Sequence, residues 1–554
     1  MVTLNRFSRK LIFITFLLWV PLHHLAYLLI EKWYHFGQTT YASFGFVWFL
    51  FQVNLIAVVA SLCLAFLPIS DLFSLKEAFL SLFLNASLYV MGTIRYRILE
   101  NTARNPVERQ AKLLRKLLDY NKETEYGRKY HFASITDRSD YQESVPLATY
   151  ENFRPYIDRL DEGEHGLLTK DPVERFNVSS GTTGKCKLLP ATTSSHFYIM
   201  WHFFLPLNFK LNLLKKGAPL APVKTALFLL KPNWRFNRNG IPIGPASAMT
   251  KDRESSVIHV VRTLPKEFNI FLSENGQLYC HWFATLKDRN LGRIDSAFGG
   301  ALVSAFEFLT KHWKTLANDV RNGKISPLFD ITEEIASSIT YERDEERARE
   351  IERECSKGFD GIVERLWPNV INCCGTVTGA HKIYKERLQR FLGKRISIMS
   401  FIVLASEGIL GINMDGPCKG DKEPVYTLAP DAVFYEFITE EDMTNNDNPK
   451  CLFIDQLKLG KRYEIVVTSE YGFYRYRLGD LIKIVGFRHG KTPTFQFCAR
   501  VGSLLDLIGE KTSEDMIQNA LQRSVPKWNR CKSIINFTTT ESLSISKVFP
   551  NAVR

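Results

Sequence analysis

The chain of 554 residues has a formal net charge of +13, with 45% hydrophobic and 23% charged residues, and is large enough for one substantial domain with appendages. No basic run interleaved with aromatic residues accompanies the charge, which disfavours nucleic-acid binding. Ten cysteines without a CxxC pair or histidines at zinc spacing argue against a disulfide framework and a zinc cluster.

Apolar residues are concentrated in the first 95 positions, which we interpret as a membrane anchor with two or three apolar helices. Residues 11–30 and 42–67 are long enough to cross a bilayer, whereas residues 78–92 could cross, lie in the interface or pack on their neighbours. Basic residues crowd the exit from this region, and such residues tend to stay in the cytosol. The sequence therefore predicts a multi-pass membrane protein, with two crossings favoured, whose main domain faces the cytosol and for which the endoplasmic reticulum is a candidate organelle.

A hydroxyl- and glycine-rich stretch, SSGTTGKCK, occupies residues 179–187. Glycine lets backbone N–H groups approach a phosphate closely, hydroxyls donate hydrogen bonds and lysine neutralises charge. The candidate phosphate-binding residues are Ser179, Ser180, Gly181, Thr182, Thr183, Gly184 and Lys187. The stretch lacks the GxxxxGK[ST] spacing of the P-loop, and similar clusters occur in ordinary loops. Nucleotide binding is the functional interpretation.

Several other segments have a structural interpretation. Thr149 is placed to cap a helix over residues 149–160 that packs on the domain surface. Apolar runs at 225–230 and 256–261 predict buried strands, and the spacing of apolar residues over 302–320 predicts an amphipathic helix. Residues 341–355 are dense in both charge signs and predict a solvated helix supported by charge pairs.

An apolar run at 396–404 is followed at once by Ser406 and Glu407. The end of a buried strand is where an α/β sheet presents reactive groups. Mg²⁺ prefers oxygen ligands and is commonly held by one or two carboxylates together with substrate phosphates. Glu407 is therefore the candidate metal ligand, with an ordinary solvated strand end as the alternative.

The segment YRYRLGD, residues 474–480, follows a predicted strand at 463–468, and further strands are predicted at 481–485 and 494–497. Asp480 is suited to accept hydrogen bonds from vicinal hydroxyls such as those of a ribose. Arg475 and Arg477 are suited to phosphate or carboxylate, and structural ion pairing among Arg475, Arg477 and Asp480 is the simpler alternative for any one of them.

SSGTTGKCK, ASEG and YRYRLGD, in that order, resemble the three nucleotide-binding motifs of the auxin-responsive acyl-acid amido synthetases, the Gretchen Hagen family, within the adenylate-forming enzymes. The resemblance extends over residues 100–540, and the apolar amino terminus looks like the animal membrane-anchored branch. It implies that Ser180, Thr182, Thr183 and Lys187 hold ATP phosphates and that Glu407 holds Mg²⁺. It also implies that Asp480 and Arg500 contact the ribose.

The implied fold is α/β: a large adenylate-forming domain at 96–480, with β-sheets, a distorted barrel and helices, and a small α/β carboxy-terminal domain at 481–554 that moves about a hinge near Asp480. The chain stops 74 residues after Asp480, so the resemblance implies a shortened small domain.

The implied reaction is ATP-dependent ligation of a carboxylic acid to an amine, specifically an amino acid, through an acyl-adenylate, with Lys187 and Glu407 as catalytic residues. Alternatives are an adenylating enzyme related to acyl-CoA synthetases, and a catalytically inactive membrane-anchored scaffold. The expected partners are the acid, the amine and membrane lipid, without nucleic acid. The acid, the amine and the oligomeric state are left open.

Overall fold

The computed structural model describes residues 69–500 except 180–186, 194–222, 231–233, 247–257, 265–271, 339, 418–421 and 446–448, and also residues 520 and 524. The helices within these residues are α1 Leu75–Arg104, α2 Pro106–Asn121, α3 Glu125–Lys129, α4 Arg138–Ser144, α5 Tyr150–Asp161, α6 Glu274–Lys287, α7 Gly299–Asn322, α8 Glu333–Ser338, α9 Glu345–Ser356, α10 Ile362–Leu366, α11 Tyr384–Leu392 and α12 Asp442–Asn445.

The strands form three sheets. Their bounds are β1 Val173–Ser179, β2 Lys187–Thr192, β3 Thr225–Leu227, β4 Arg235–Phe236, β5 Pro242–Pro245, β6 Arg293–Phe298, β7 Asn372–Thr376, β8 Ser397–Met399, β9 Ile402–Ala405, β10 Gly408–Ile412, β11 Tyr426–Leu428, β12 Phe434–Thr439, β13 Arg462–Thr468, β14 Tyr476–Arg488 and β15 Thr492–Arg500. The sheet orders are β2-β1-β5-β4, β3-β6-β7-β8 and β12-β13-β14-β15-β11-β10-β9. The predicted α/β class is confirmed.

The β3-β6-β7-β8 sheet is parallel, and helices including α6, α7 and α11 connect its strands. Parallel neighbours need crossover connections, which is why long helices alternate with short strands here. The core beside this sheet contains the fully buried rings of Trp282 and Trp367. The predicted amphipathic helix at 302–320 is confirmed, because it falls within α7.

Two predictions need correction in this half of the molecule. Ile258–Val261, in the run read as a buried strand, forms a 3₁₀-helix, and Val260 packs against the cluster that contains Phe73. Residues 256 and 257 lie outside the described residues. The charged run at 341–355 does form a helix, α9, but Arg347 is fully buried and donates a hydrogen bond to the Leu286 carbonyl oxygen. One face of this helix is therefore core.

The seven-stranded antiparallel sheet curls so that its opposite ends meet. The Tyr435 hydroxyl on β12 lies 3.1 Å from the carbonyl oxygen of Ile409 and 3.0 Å from that of Leu410, both on β10, and accepts a hydrogen bond from the Ala429 amide. Gln110 of α2 donates to the carbonyl oxygens of Pro430 and Val433 just before β12. Because β12 and β10 lie near opposite ends of the strand order, these contacts close the sheet into a distorted barrel.

The domain boundary expected at residue 480 falls inside β14. Residues 481–488 continue this strand, and β15 pairs with it in the same sheet. The barrel therefore extends through residue 500. In the remainder of the expected small carboxy-terminal domain, residues 501–554, the structure describes only residues 520 and 524.

A buried ion pair ties the helical segment before α5 to the barrel. The Arg475 guanidinium donates to both carboxylate oxygens of Glu436 at 3.1 Å and to the carbonyl oxygens of Gln142 and Val145 at 2.7 Å. Glu436 is 1% exposed and Arg475 is 5% exposed. Loss of either partner would leave the other charge buried without compensation, which is costly.

Helix α1 is the described part of the expected membrane anchor. Among the described residues, one helix, Lys76–Arg104, is long and apolar enough to cross a membrane by length and composition alone. The apolar stretches at 11–30 and 42–67 lie outside the described residues.

We predict that Arg475→Met lowers the free energy of unfolding by about 3–5 kcal/mol, because it leaves the Glu436 carboxylate unpaired inside the barrel. Denaturant unfolding measures the change. The matched control is Arg462→Met, because Arg462 pairs with Glu440 where both side chains are half exposed; its expected cost is below about 1 kcal/mol. Equal costs for the two variants would contradict a special role for the buried pair.

Candidate active site

The SSGTTGKCK stretch connects the two strands of a hairpin. β1 pairs antiparallel with β2, and Ser179 lies opposite Lys187. The candidate residues Ser180, Gly181, Thr182, Thr183 and Gly184 between them lie outside the described residues. The loop therefore joins two strands, whereas the P-loop of kinases and GTPases joins a strand to a helix. Ser179 and Lys187 hold its two ends together.

Helix α5 holds the loop end of this hairpin through Tyr150. The Tyr150 hydroxyl accepts a hydrogen bond from the Leu188 amide at 2.9 Å and donates to the Leu188 carbonyl oxygen at 3.1 Å. The Lys187 ammonium lies 5.3 Å from the centre of the Tyr150 ring, within cation–π range. Burial raises the pKa of the Tyr150 hydroxyl further above neutral pH. The sequence interpretation of this segment as a surface helix missed this role.

The same segment also contacts the YRYRLGD strand. Phe153 of α5 packs against Phe473 and Tyr476 with ring centres 5.2 and 6.0 Å apart. Just before the helix, the Ala148 amide donates to the Arg475 carbonyl oxygen and the Arg477 amide donates to the Ala148 carbonyl oxygen. One short segment therefore positions the phosphate hairpin and the start of β14 together.

Ser406 and Glu407 form the two-residue turn between β9 and β10, in which Ala405 pairs with Gly408. Glu407 is 4% exposed. Gly408 has φ +153, and a Cβ at this position would lie 2.6 Å from the Val433 side chain and 3.9 Å from Cβ of Ser469. A strand does end just before the Glu407 turn, but the predicted buried strand at 396–404 divides into β8 and β9, which belong to different sheets, and β9 is partly exposed and forms an antiparallel hairpin of the barrel. The tight packing at Gly408 places the Glu407 turn beside the β13–β14 connection.

Asp480 and Arg500 are brought together by the register of the barrel. They are directly opposite each other in the β14–β15 pair, where facing Cα atoms lie about 5 Å apart. Asp480 is 6% exposed. The two residues that the resemblance assigns to the ribose are therefore neighbours, although they are 20 positions apart in the chain.

Arg475 and Arg477 have structural partners. Arg475 is held by Glu436, and Arg477 makes two hydrogen bonds to the buried Glu464 carboxylate, at 3.1 and 2.7 Å. These contacts favour the ion-pairing alternative for both arginines.

One hydrophobic cluster supports all three motifs. It contains Leu189, two residues after Lys187; Leu410, three residues after Glu407; and Leu478, two residues before Asp480. Buried side chains pack closely and resist displacement. The hairpin, the Glu407 turn and β14 are therefore carried by one rigid core.

Within the described part of the chain, two buried polar side chains near these motifs have no hydrogen-bond partner. They are the Asn177 amide, two residues before Ser179, and the Ser469 hydroxyl, beside the Glu407 turn; each residue is 1% exposed. Buried polar atoms without partners are costly and are commonly satisfied by a ligand or an ordered water. Residue types alone did not single out either residue, because what distinguishes them is their surroundings.

Among the described residues, no group of three or more His, Cys, Asp and Glu side chains is arranged to hold a metal ion. Glu407 is buried, and the residue after it, Gly408, packs close to Ser469, so that a carboxylate and a hydroxyl, both hard oxygen donors, lie in neighbouring segments. Mg²⁺ suits such a set, because it usually keeps several waters and shares its ligands with substrate phosphates. The residues present therefore fit a magnesium ion that binds together with a nucleotide.

The chain is similar to proteins of known family over most of its length. The GH3 family N-terminal domain matches residues 95–396 and the GH3 family central domain matches residues 426–500. The indole-3-acetic acid-amido synthetase GH3.4 of Arabidopsis thaliana is 29% identical over 446 residues, which cover 77% of this chain and 72% of that protein. The indole-3-acetic acid-amido synthetase GH3.8 of Oryza sativa subsp. indica is 29% identical over 78% of this chain and 72% of that protein. The solved structure of the GH3.15 acyl acid amido synthetase is similar with a TM-score of 0.69 and 27% identity, over 78% of this chain and 75% of that one.

We predict that Tyr150→Phe weakens ATP binding about 5- to 10-fold, because loss of the hydroxyl releases both hydrogen bonds at Leu188 and loosens the base of the loop. Equilibrium binding of ATP with Mg²⁺ measures the effect. The control is Tyr120→Phe, which removes an exposed hydroxyl bonded to Asp171. Unchanged affinity in Tyr150→Phe, with an intact fold, would rule out this anchoring role.

Proposed function

We propose, on the premise that this chain belongs to the GH3 family, that it is an ATP-dependent ligase that joins a carboxylic acid to an amino acid through an acyl-adenylate. The observation that carries the proposal is the shared core beneath the phosphate hairpin, the Glu407 turn and β14. The phosphates and the ribose are two distinct parts of one nucleotide. Rigid positioning of the groups that would bind each part is what such a ligand requires.

In the first half-reaction, a carboxylate oxygen of the acid attacks the α-phosphorus of ATP, and the bond to the leaving pyrophosphate breaks. The loop at 179–187, with Lys187 at its base, would hold the phosphates and neutralise the charge on the leaving group. Glu407 would hold Mg²⁺, which supplies further neutralisation of phosphate charge when bound. Asp480 and Arg500 would position the ribose. The chemistry rests on orientation and charge stabilisation.

In the second half-reaction, the amine nitrogen attacks the acyl carbon, AMP leaves with the electron pair of the acyl–phosphate bond, and the nitrogen loses a proton. The product is an amide. The names of the relatives specify indole-3-acetic acid for those enzymes. For this chain we propose the class of reaction, with an organic acid and an amino acid as substrates.

We also propose that the protein is anchored in a membrane, with the ligase domain in the cytosol and the endoplasmic reticulum as the candidate organelle. Support comes from the apolar stretches at 11–30 and 42–67 and from the basic residues that follow them. The family match begins at residue 95, after these stretches.

We predict that the purified full chain exchanges labelled pyrophosphate into ATP when supplied with an acid from a carboxylic-acid panel. Glu407→Gln should reduce this exchange about 10²-fold, because it removes the carboxylate that would hold the metal against the phosphates. The control is Glu440→Gln, at a half-exposed carboxylate that pairs with Arg462, and it should exchange normally.

Three results would contradict the assignments. Exchange that Glu407→Gln leaves intact would remove the metal role of Glu407. A wild-type chain with neither exchange nor an ATP-dependent thermal shift would favour the scaffold alternative. Exchange followed by transfer to coenzyme A in place of an amino acid would favour the thioester-forming alternative.

We predict that Asp480→Asn raises the KM for ATP about 10-fold or more, because a charged acceptor to the ribose hydroxyls is lost, while the KM for the acid changes little. Steady-state pyrophosphate exchange at varied ATP and varied acid separates the two effects. Asp360→Asn, at a highly exposed carboxylate, is the matched control. Equal rises in both KM values would point to general damage of the site.

A further inference from the structure

Helix α1 is attached to the folded body at both of its ends. Before its first residue, the Ser70 hydroxyl donates to the buried Asp288 carboxylate at 2.6 Å, and the Arg289 amide donates to the Asp71 carboxylate at 3.1 Å. Phe73 packs in a small buried cluster with Ile69. The start of the helix is therefore held at the end of α6, beside the parallel sheet.

The other end of α1 is held by the barrel. Arg95 pairs with Asp431 at 2.8 Å, and Glu100 pairs with Arg488 and His489 of the β14–β15 hairpin, each at 2.5 Å. Burial acts to raise the pKa of the Glu100 carboxyl, but hydrogen bonds from Arg488, His489 and Tyr96 outweigh it and lower the pKa to about 2. Glu100 therefore stays ionised across the physiological range.

These attachments determine how α1 can meet a membrane. A helix of 30 residues is about 45 Å long, enough to span a bilayer. A spanning helix would place its two ends on opposite sides, yet both ends of α1 contact one folded body. The sequence leaves three positions open for residues 78–92: across the membrane, in its interface, or packed on neighbouring residues. The structure is inconsistent with a crossing and shows the helix along the surface of the folded body.

The side chains of α1 are distributed in the reverse of the usual pattern. The residues that face the body include small and polar ones, namely Ala78, Ser81, Asn85, Arg95 and Thr102. The opposite face carries large apolar residues that are 41–71% exposed, and we call it the outer stripe: Phe79, Phe83, Val90, Met91, Ile94 and Ile98. A helix on the surface of a water-soluble domain normally turns its apolar face inward. A contiguous exposed apolar stripe indicates an interaction surface.

The neighbouring chain indicates what covers the outer stripe. The membrane-length apolar stretch at 42–67 ends two residues before Ile69, which is docked on the body. Two extended residues span about 7 Å, so the body surface at the start of α1 must lie close to the place where that stretch ends. Exposed Lys76 at one end of the outer stripe, and Arg97 and Arg104 at the other, suit anionic headgroups.

We propose that α1 lies in the plane of the membrane interface, with its outer stripe in the lipid, and holds the ligase domain on the bilayer in one orientation. The proposal rests on the proposed membrane anchoring but is independent of the ligase activity. A lipid surface is the occupant to which it commits. A second copy of the chain, or the chain's own residues 42–67, would be a different occupant.

The test uses the full chain reconstituted in phosphatidylcholine vesicles that contain phosphatidylserine, with Phe79 or Phe83 replaced by the photo-crosslinker p-benzoylphenylalanine. These side chains are 50% and 71% exposed, so an aromatic replacement should not disturb the fold. Phe236, which is 65% exposed on β4, an edge strand of the β2-β1-β5-β4 sheet, is the matched control position. Mass spectrometry identifies each adduct.

We expect lipid adducts at Phe79 and Phe83 that exceed those at Phe236 several-fold. Adducts to a second chain or to residues 42–67, or lipid adducts equal to the control, would overturn the proposal. Vesicle flotation distinguishes a wrong position of α1 from the absence of membrane anchoring. A chain that is not anchored does not float with the vesicles.

A second measurement tests the in-plane geometry in unsubstituted protein. Lys76 precedes the outer stripe in the chain and Lys112, in α2, follows it, and both lysines are exposed. In sealed vesicles, a membrane-impermeant amine reagent should modify both lysines or neither. Modification of one with protection of the other would show that α1 crosses the bilayer and would contradict the proposal.

Discussion

Three chain segments that lie far apart in the sequence must be fixed to one rigid body before they can hold one nucleotide. The fold meets this requirement with a single hydrophobic cluster that contains Leu189, Leu410 and Leu478, each next to a different motif. Tyr150 adds a polar clamp, because its hydroxyl bonds both backbone groups of Leu188 while the same helix packs on β14 through Phe153. The proposed ligase chemistry depends on this rigidity, since it uses positioning and charge stabilisation in place of a covalent protein nucleophile.

The barrel determines where the Glu407 turn and the end of YRYRLGD lie. Tyr435 joins β12 to β10 and so brings the Glu407 turn to the β13–β14 connection, while the strand register sets Asp480 opposite Arg500. Arg475, inside YRYRLGD, serves the scaffold through Glu436. The two arginines of this motif therefore hold the strand in place through Glu436 and Glu464.

Much of this could be predicted from the sequence, because the motifs are local and their order is distinctive. Glycine and hydroxyl residues marked the hairpin loop, an apolar run marked the strand before Glu407, and amphipathic spacing marked α7. The role of Tyr150 could not be predicted, because a tyrosine in a capped helix has no local signature of a contact 38 residues away. The same holds for Asn177 and Ser469, whose unpartnered polar atoms are defined by neighbours from other strands. The inward-facing polar residues of α1 could not be recognised either, since an apolar helix of that length suggests a crossing until both of its ends are located.

The most direct measurement of the central claim is a crystal structure of the full chain with a non-hydrolysable ATP analogue and Mg²⁺. We predict one nucleotide whose phosphates lie in the loop at 179–187, whose metal ion is held by Glu407 and whose ribose hydroxyls contact Asp480. A nucleotide that contacts one of these segments while the other two line a separate surface would contradict the account.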